Sequence, residues 1–165
     1  MSKLCPSVFW VSVLVLMALI FPLAAGAQSN SVREEWLASY KHFGAAAAVT
    51  FPYQDFGDSY NTGYGLHGMA DFPLITFLNL IADVGWNHFP GKNGEESADI
   101  FNFAGGAKIA IGVFFMGGEV GYFTDVDEVS WIPSIGLRFS RFEFAARLKA
   151  VGSGSWTTLR FGYYF

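Results

Sequence analysis

The chain has 165 residues, a formal net charge of −4, 52% hydrophobic and 18% aromatic residues, 19 glycines and only 15% charged residues. That charge content is well under the ~25% typical of a soluble domain, and the acidic balance, with no basic cluster, excludes a nucleic-acid-binding surface. A single cysteine, Cys5, excludes a disulfide framework.

Lys3 precedes an apolar run from Val8 to Phe21, which is followed by Pro22 and the small residues Ala24-Ala25-Gly26-Ala27. A charged start, an apolar middle and an A-x-A site describe a secretory signal peptide, so residues 1–27 are expected to be removed and the mature chain to begin at Gln28. A retained anchor would need roughly 20 uninterrupted apolar residues, and this run is shorter and broken by Pro22. Cys5 lies before the run and leaves with it, which argues against a lipoprotein cleavage site. Residues 28–41 form a lead-in. Ser31 with Glu34 fits a capping box, and Trp36 with Tyr40 stand one turn apart, so the stretch reads either as a short interfacial helix or as a plain periplasmic lead-in.

After residue 27 no apolar run is long enough for a spanning helix. The apolar residues instead recur at every second position in segments of about ten, the pattern of a transmembrane barrel strand. Eight segments are predicted: 43–51, 62–72, 77–88, 99–111, 113–123, 130–139, 142–150 and 156–165. In the last of these, Leu159, Phe161, Tyr163 and Phe165 oppose Thr158, Arg160, Gly162 and Tyr164. In 142–150, Phe142, Phe144, Ala146 and Leu148 oppose Glu143, Ala145, Arg147 and Lys149. Tight turns are expected at Pro73–Thr76, near Ile111–Gly112 and at Ser140-Arg141, and longer polar loops at 52–61, 89–98, 124–129 and 151–155. Short turns on one side and longer loops on the other are the habit of up-and-down barrels in outer membranes, and an even strand count puts both termini on the short-turn, periplasmic side. Aromatic residues gather at strand ends: Phe43, Phe72, Phe77, Phe114, Phe139, Phe142, Tyr163 and Phe165 at one, and Phe51, Trp86, Tyr122, Trp131 and Trp156 at the other. Two aromatic girdles are expected where rings meet the headgroup boundary.

With its terminal strand Trp156-Thr-Thr-Leu-Arg-Phe-Gly-Tyr-Tyr-Phe165, the chain resembles the superfamily of small eight-stranded bacterial outer-membrane barrels, to which the outer membrane protein A barrel and the outer membrane protein X type belong. The resemblance implies an eight-stranded antiparallel up-and-down transmembrane β-barrel over residues 42–165. It also implies that Leu159, Phe161, Tyr163 and Phe165 act as a signal read by the outer-membrane assembly machinery. Arg160 stands where that family often has glycine, with the glycine at 162 instead, so the likeness is one of pattern and not of strict motif.

The same alternation sends a set of polar residues inward. Asp71, Asp83, Lys108, Glu119, Arg138, Glu143, Arg147, Lys149 and Arg160 are expected to form a charge network in the lumen, joined by His67, Asn79, Asn87 and Asn102. Buried charges are tolerated when paired and hydrogen-bonded, and an eight-stranded barrel is just narrow enough for side chains to fill. A plugged lumen is therefore expected over an open pore, with Gly44, Ala46, Ala48, Gly63 and Gly65 making room for the long cationic chains.

The loops carry Asp55, Asp58, Glu95, Glu96, Asp99, Asp125, Asp127 and Glu128 against Lys92. Asp125-x-Asp127-Glu128 lacks the length and the glycine of a calcium loop, so these read as solvated acids; no metal site or cofactor is expected. The histidines are His42, His67 and His88, and no serine and histidine share one face of one strand, as a nucleophile and its base would need. The expectation is a non-enzymatic protein, with His67 the first residue to consider for any lipid A-modifying chemistry. A rival reading is a secreted lipocalin-like barrel, in which the aromatic face lines a cavity for an apolar ligand and Arg147, Lys149 and Arg160 are solvated. The expected role is that of an integral outer-membrane barrel, structural or surface-interacting, and monomeric, with outer-membrane lipid and lipopolysaccharide around it and no nucleic acid. A narrow pore is the remaining alternative.

Overall fold

Period-two alternation becomes eight strands, each with one buried and one exposed face. The computed structural model describes residues 42–124, 128–151 and 154–165, and the signal and lead-in assignments for 1–41 lie outside them. The strands are β1 (Phe43–Tyr53), β2 (Gly63–Ile75), β3 (Leu78–Phe89), β4 (Ala98–Ile111), β5 (Phe114–Phe123), β6 (Glu128–Phe139), β7 (Phe142–Val151) and β8 (Gly154–Tyr164). Each pairs antiparallel with its sequence neighbour, and β1 pairs with β8 to close the barrel. Closure leaves no free edge, so every strand's backbone groups have a ladder on both sides. Gly44 faces Tyr164 across the closing seam, and Phe165 N–H donates to the Phe43 carbonyl at 2.9 Å, so the two ends of the barrel chain meet at one rim.

The first strand, Phe-Gly-Ala-Ala-Ala-Ala-Val, carries an alanine run that local propensity alone would make helical. Barrel closure overrides it: Gly44, Ala46 and Ala48 are buried while Ala45, Ala47 and Val49 are exposed. A β-carbon at Gly44 would stand 2.7 Å from the Tyr163 carbonyl oxygen and 3.1 Å from the Tyr164 ring, so the small inward face makes room for what lies opposite.

Turn and loop placements differ from the expectation in four places. The first tight turn falls at Thr76-Phe77, not Pro73–Thr76, because β2 continues to Ile75 through a register shift between Pro73 and Ile75. A bulge accommodates the proline, which has no N–H to give the ladder. The second turn is Gly112-Val113, one residue later than expected, with Gly112 at φ +62°, a left-handed conformation cheap only for glycine. Within 52–61, read as a polar loop, a short helix α1 (Gln54–Ser59) forms. Finally, β7 reaches Val151 and β8 begins at Gly154, so the last connection is far shorter than the expected 151–155. The turn at Ser140-Arg141 falls as expected, and all three tight turns lie at the rim where β1 starts and β8 ends.

Candidate functional site: the filled interior

On the outside, Phe43, Leu66, Phe103, Phe114, Ile135, Phe144, Leu159 and Phe165 are among the large apolar side chains that lie exposed, and they come from strands all round the barrel. A soluble monomer's largest apolar patch is about 300–600 Å²; a continuous belt of this kind has hydrocarbon as its natural solvent. Strands of 10 to 14 residues match or exceed the ~9–11 tilted residues needed to cross a bilayer. The rim aromatics Phe72, Phe139, Phe142 and Tyr163 at the turn end, and Phe51, Tyr122 and Trp131 at the loop end, also point outward.

On the inside lie the nine ionisable residues singled out from the sequence, eight of them bound in a chain of shared partners. Asp71, fully buried, accepts from Arg138 Nη1 at 2.6 Å and from Asn79 Nδ2 at 2.6 Å, and is paired with Lys108. Lys108 Nζ also donates to Glu143 Oε2 at 2.9 Å. Glu143 in turn accepts from Arg160 Nη2 at 2.8 Å and from the Tyr164 hydroxyl at 3.1 Å. Arg160 Nη1 donates to Asp83 Oδ2 at 2.7 Å, and Asp83 Oδ1 accepts from Asn102 Nδ2 at 2.9 Å. The same carboxylate oxygen lies 3.1 Å from Arg147 Nη1 and 3.1 Å from His67 Nδ1. Arg147 Nη2 donates to Glu119 Oε2 at 2.7 Å. From Arg138 to Glu119 the ion pairs run unbroken through Asp71, Lys108, Glu143, Arg160, Asp83 and Arg147.

Strand pairing explains this connectivity. Glu143 on β7 faces Gly162 of β8, and Arg160 on β8 faces Ala145 of β7. Neither partner has a side chain long enough to interpose, so the carboxylate and guanidinium meet across the small positions. Likewise Gly85 on β3 faces His67 on β2 and Asn102 on β4; a β-carbon there would lie 2.3 Å from His67 Nδ1 and 2.7 Å from Asn102 Oδ1. Flat contacts complete the layer: the Arg138 guanidinium stacks 3.8 Å from the Tyr164 ring centroid, and Lys108 Nζ sits 4.7 Å from that of Phe115.

Lys149, also expected in the network, is fully buried but stands apart: its ammonium has no hydrogen-bond partner among the described residues and sits 5.6 Å from the Phe123 ring centroid. Towards the loop end the interior turns apolar. Phe89, Ile100, Phe123, Ile132 and Trp156 form a buried cluster. Trp156, read as an outer girdle residue, therefore points inward; the parity that sends Thr158 and Arg160 into the lumen sends Trp156 there as well. Helix α1 lies against this cluster, with the Phe56 ring 5.0 Å from Phe89 and 5.2 Å from Trp156 between centroids. Lys92 Nζ donates to the Gly57 carbonyl and Asn61 N–H to the Pro90 carbonyl at 2.8 Å, tying the helix to the neighbouring loop. Nothing in the alternation of a strand announces this cap, because its key residue, Phe56, lies in α1, outside the strands.

His67 is buried in the lumen against Asp83. A histidine at the surface has the more exposed arrangement: His88 Nδ1 lies 2.9 Å from Asp99 Oδ1, which also accepts from Trp86 Nε1 at 2.9 Å. His88 and Asp99 are on facing positions of β3 and β4, at the loop ends of the predicted segments 77–88 and 99–111, where Asp99 also counts among the loop acids. Among the described residues no group of three His, Cys, Asp or Glu is arranged to hold a metal ion.

The lipocalin-like alternative needs these faces reversed. Arg147 is 1% and Lys149 0% exposed, while the aromatic face is the outer one. An apolar exterior around a charged and capped interior defines an eight-stranded transmembrane β-barrel.

No protein-family model matches the chain, and no curated protein matches it. Solved structures do. A de novo designed transmembrane β-barrel is similar at TM-score 0.48 and 17% identity, over 76% of this chain and 96% of that one. The outer membrane enzyme PagL is similar at 0.48 and 16%, over 74% and 99%. The Yersinia pestis outer membrane protein Ail, solved in a phospholipid bilayer nanodisc, is similar at 0.41 and 14%, over 74% and 99%.

Proposed function

We propose that this protein is an integral barrel of the bacterial outer membrane, exported through the periplasm as a monomer. On this reading it serves as a structural or surface-interacting component and does not conduct solutes. The observation that carries the reading is the interior. Ion-paired side chains cross it, α1 and an aromatic cluster cover its loop end, and the space among Asp83, Lys108, Glu119, Glu143 and Arg160 amounts to about 10 Å³. That is at most about one water, too little for a hydrated ion among these paired groups.

The tight-turn rim would face the periplasm and the rim carrying α1 the outside, with Leu159, Phe161, Tyr163 and Phe165 presented outward on β8 to the assembly machinery. Outer-membrane lipid and lipopolysaccharide would surround the belt. No cofactor, metal or nucleic acid is invoked, and no catalytic role is assigned. Two measurements test the reading. Unheated protein in detergent should migrate differently from heated protein, as a closed barrel does, and planar bilayers should show no unitary conductance. Stable ion-sized steps from the purified barrel would refute the plug; solubility without detergent would refute the membrane placement.

A further inference from the structure

We propose that a small monovalent anion, of the size of chloride or bromide, is bound inside the barrel by Lys149, Thr50, Thr158 and Trp156, between the ion-pair network and the aromatic cap.

Charge points first in this direction. The inward set described above has five cations, Lys108, Arg138, Arg147, Lys149 and Arg160, against the four carboxylates Asp71, Asp83, Glu119 and Glu143, so one positive charge is left over among the described residues. It falls on Lys149, since the other four cations each lie within 4.0 Å of a carboxylate and Lys149 does not. A lone ammonium at 0% exposure is among the most costly arrangements in a protein interior.

The hydrogen-bond chemistry of the neighbouring side chains calls for an acceptor. Five side-chain nitrogens without a hydrogen-bond partner among the described residues, Lys149 Nζ, Trp156 Nε1, Arg147 Nε and Nη1 and Arg160 Nε, can only donate. The hydroxyls of Thr50 and Thr158 are buried, unpartnered and able to donate as well. Buried polar atoms of native proteins are partnered in the great majority, and a run of orphaned donors on one wall calls for an anionic acceptor.

Strand register shows that the donors are neighbours. Lys149 on β7 is directly opposite Trp156 on β8, Arg147 is opposite Thr158, and Thr158 is opposite Thr50 on β1. All have the inward parity, so the donors line one continuous patch of β7, β8 and β1. Phe123, whose ring centroid is 5.6 Å from the Lys149 ammonium, belongs to the apolar cap, which keeps the patch from bulk water and strengthens the attraction of the ammonium for an anion.

The first test is crystallographic. Crystals of the detergent-purified protein grown with bromide in place of chloride should show an anomalous peak within hydrogen-bond reach of Lys149 Nζ; absence of the peak there overturns the proposal, whether the position is empty or holds water. The second is a thermal titration at constant ionic strength, exchanging gluconate for bromide. Above saturation, each tenfold rise in bromide should raise the melting temperature by about 4 °C. Lys149→Met should abolish both the peak and the titration while keeping the heat-dependent gel shift that reports a closed barrel. A bromide response that persists in a folded Lys149→Met protein overturns the proposal, and if that variant does not fold the wild-type anomalous map decides alone.

Discussion

Asp83→Ala is the most informative single change, because Asp83 is where the two halves of the ion-pair chain meet. Its carboxylate holds Arg160 at 2.7 Å, Arg147 at 3.1 Å, Asn102 at 2.9 Å and His67 at 3.1 Å. Hydrogen bonds to a charged group contribute about 1.5–3 kcal/mol each, and a simple sum would exceed what removal of one partner from a buried pair costs, about 3–5 kcal/mol. The lower end of that range applies, since Arg160 keeps Glu143 and Arg147 keeps Glu119. Asp83→Ala should therefore lower unfolding stability by about 3 kcal/mol. Asp83→Asn, which retains the shape and a carbonyl acceptor for Asn102, should cost about half as much. The assay is urea unfolding in lipid vesicles, followed by tryptophan fluorescence and by the heat-dependent gel shift. Asp83→Ala within 0.5 kcal/mol of wild type would mean that the chain of pairs does not act as a unit, and the argument from shared partners would fail.

Three other changes probe different parts of the molecule. Gly85→Ala drives a β-carbon into His67 and Asn102 and should cost about 1–3 kcal/mol as overpacking; a neutral result in the same unfolding assay would show that His67 can swing aside freely. Phe56→Ala removes the ring that α1 places on Phe89 and Trp156; it should make residues 54–59 a new site of limited proteolysis while the heat-dependent gel shift still reports a closed barrel, because the strand ladders are kept. Phe165→Ala should reduce the amount of barrel inserted in the outer membrane of cells several-fold yet leave refolding into detergent unchanged; an equal loss in both would assign Phe165 to stability and not to recognition by the assembly machinery.

Most of the architecture could be read from residue order because a barrel strand between lipid and a polar lumen obeys one rule, alternation, without interruption. In β7 the rule separates Phe142, Phe144 and Leu148 from Glu143, Arg147 and Lys149, and the structure keeps that division. Strand ends were less legible. Pro73 looked like a turn, but a bulge carries β2 past it. Residue type alone places Trp156 in the outer girdle, whereas its parity with Thr158 and Arg160 sends it inward, where it is 1% exposed. Helix α1 was invisible for a different reason: six residues with no buried face of their own gain their structure from Phe56 docking on residues of β3 and β8, contacts that local sequence does not encode. The pairing pattern within the lumen was equally hidden, since Lys108 reaches Glu143 and Arg138 reaches Asp71 across the barrel's interior and not along the ladder.

The interior is built in two chemistries because each end of the lumen faces a different problem. In the ion-pair layer every carboxylate has at least one cation, and Asp71, Asp83 and Glu143 each have two, so desolvation is offset by short, charge-assisted bonds in a setting of low dielectric. Such a layer is stable only while water stays out, because water would compete for the same donors. Phe89, Phe123, Trp156 and Phe56 keep water out at the loop end. The aromatic cap and the charge network are therefore coupled: weakening the cap should hydrate the network from the Lys149 side first, where the ammonium has no hydrogen-bond partner among the described residues.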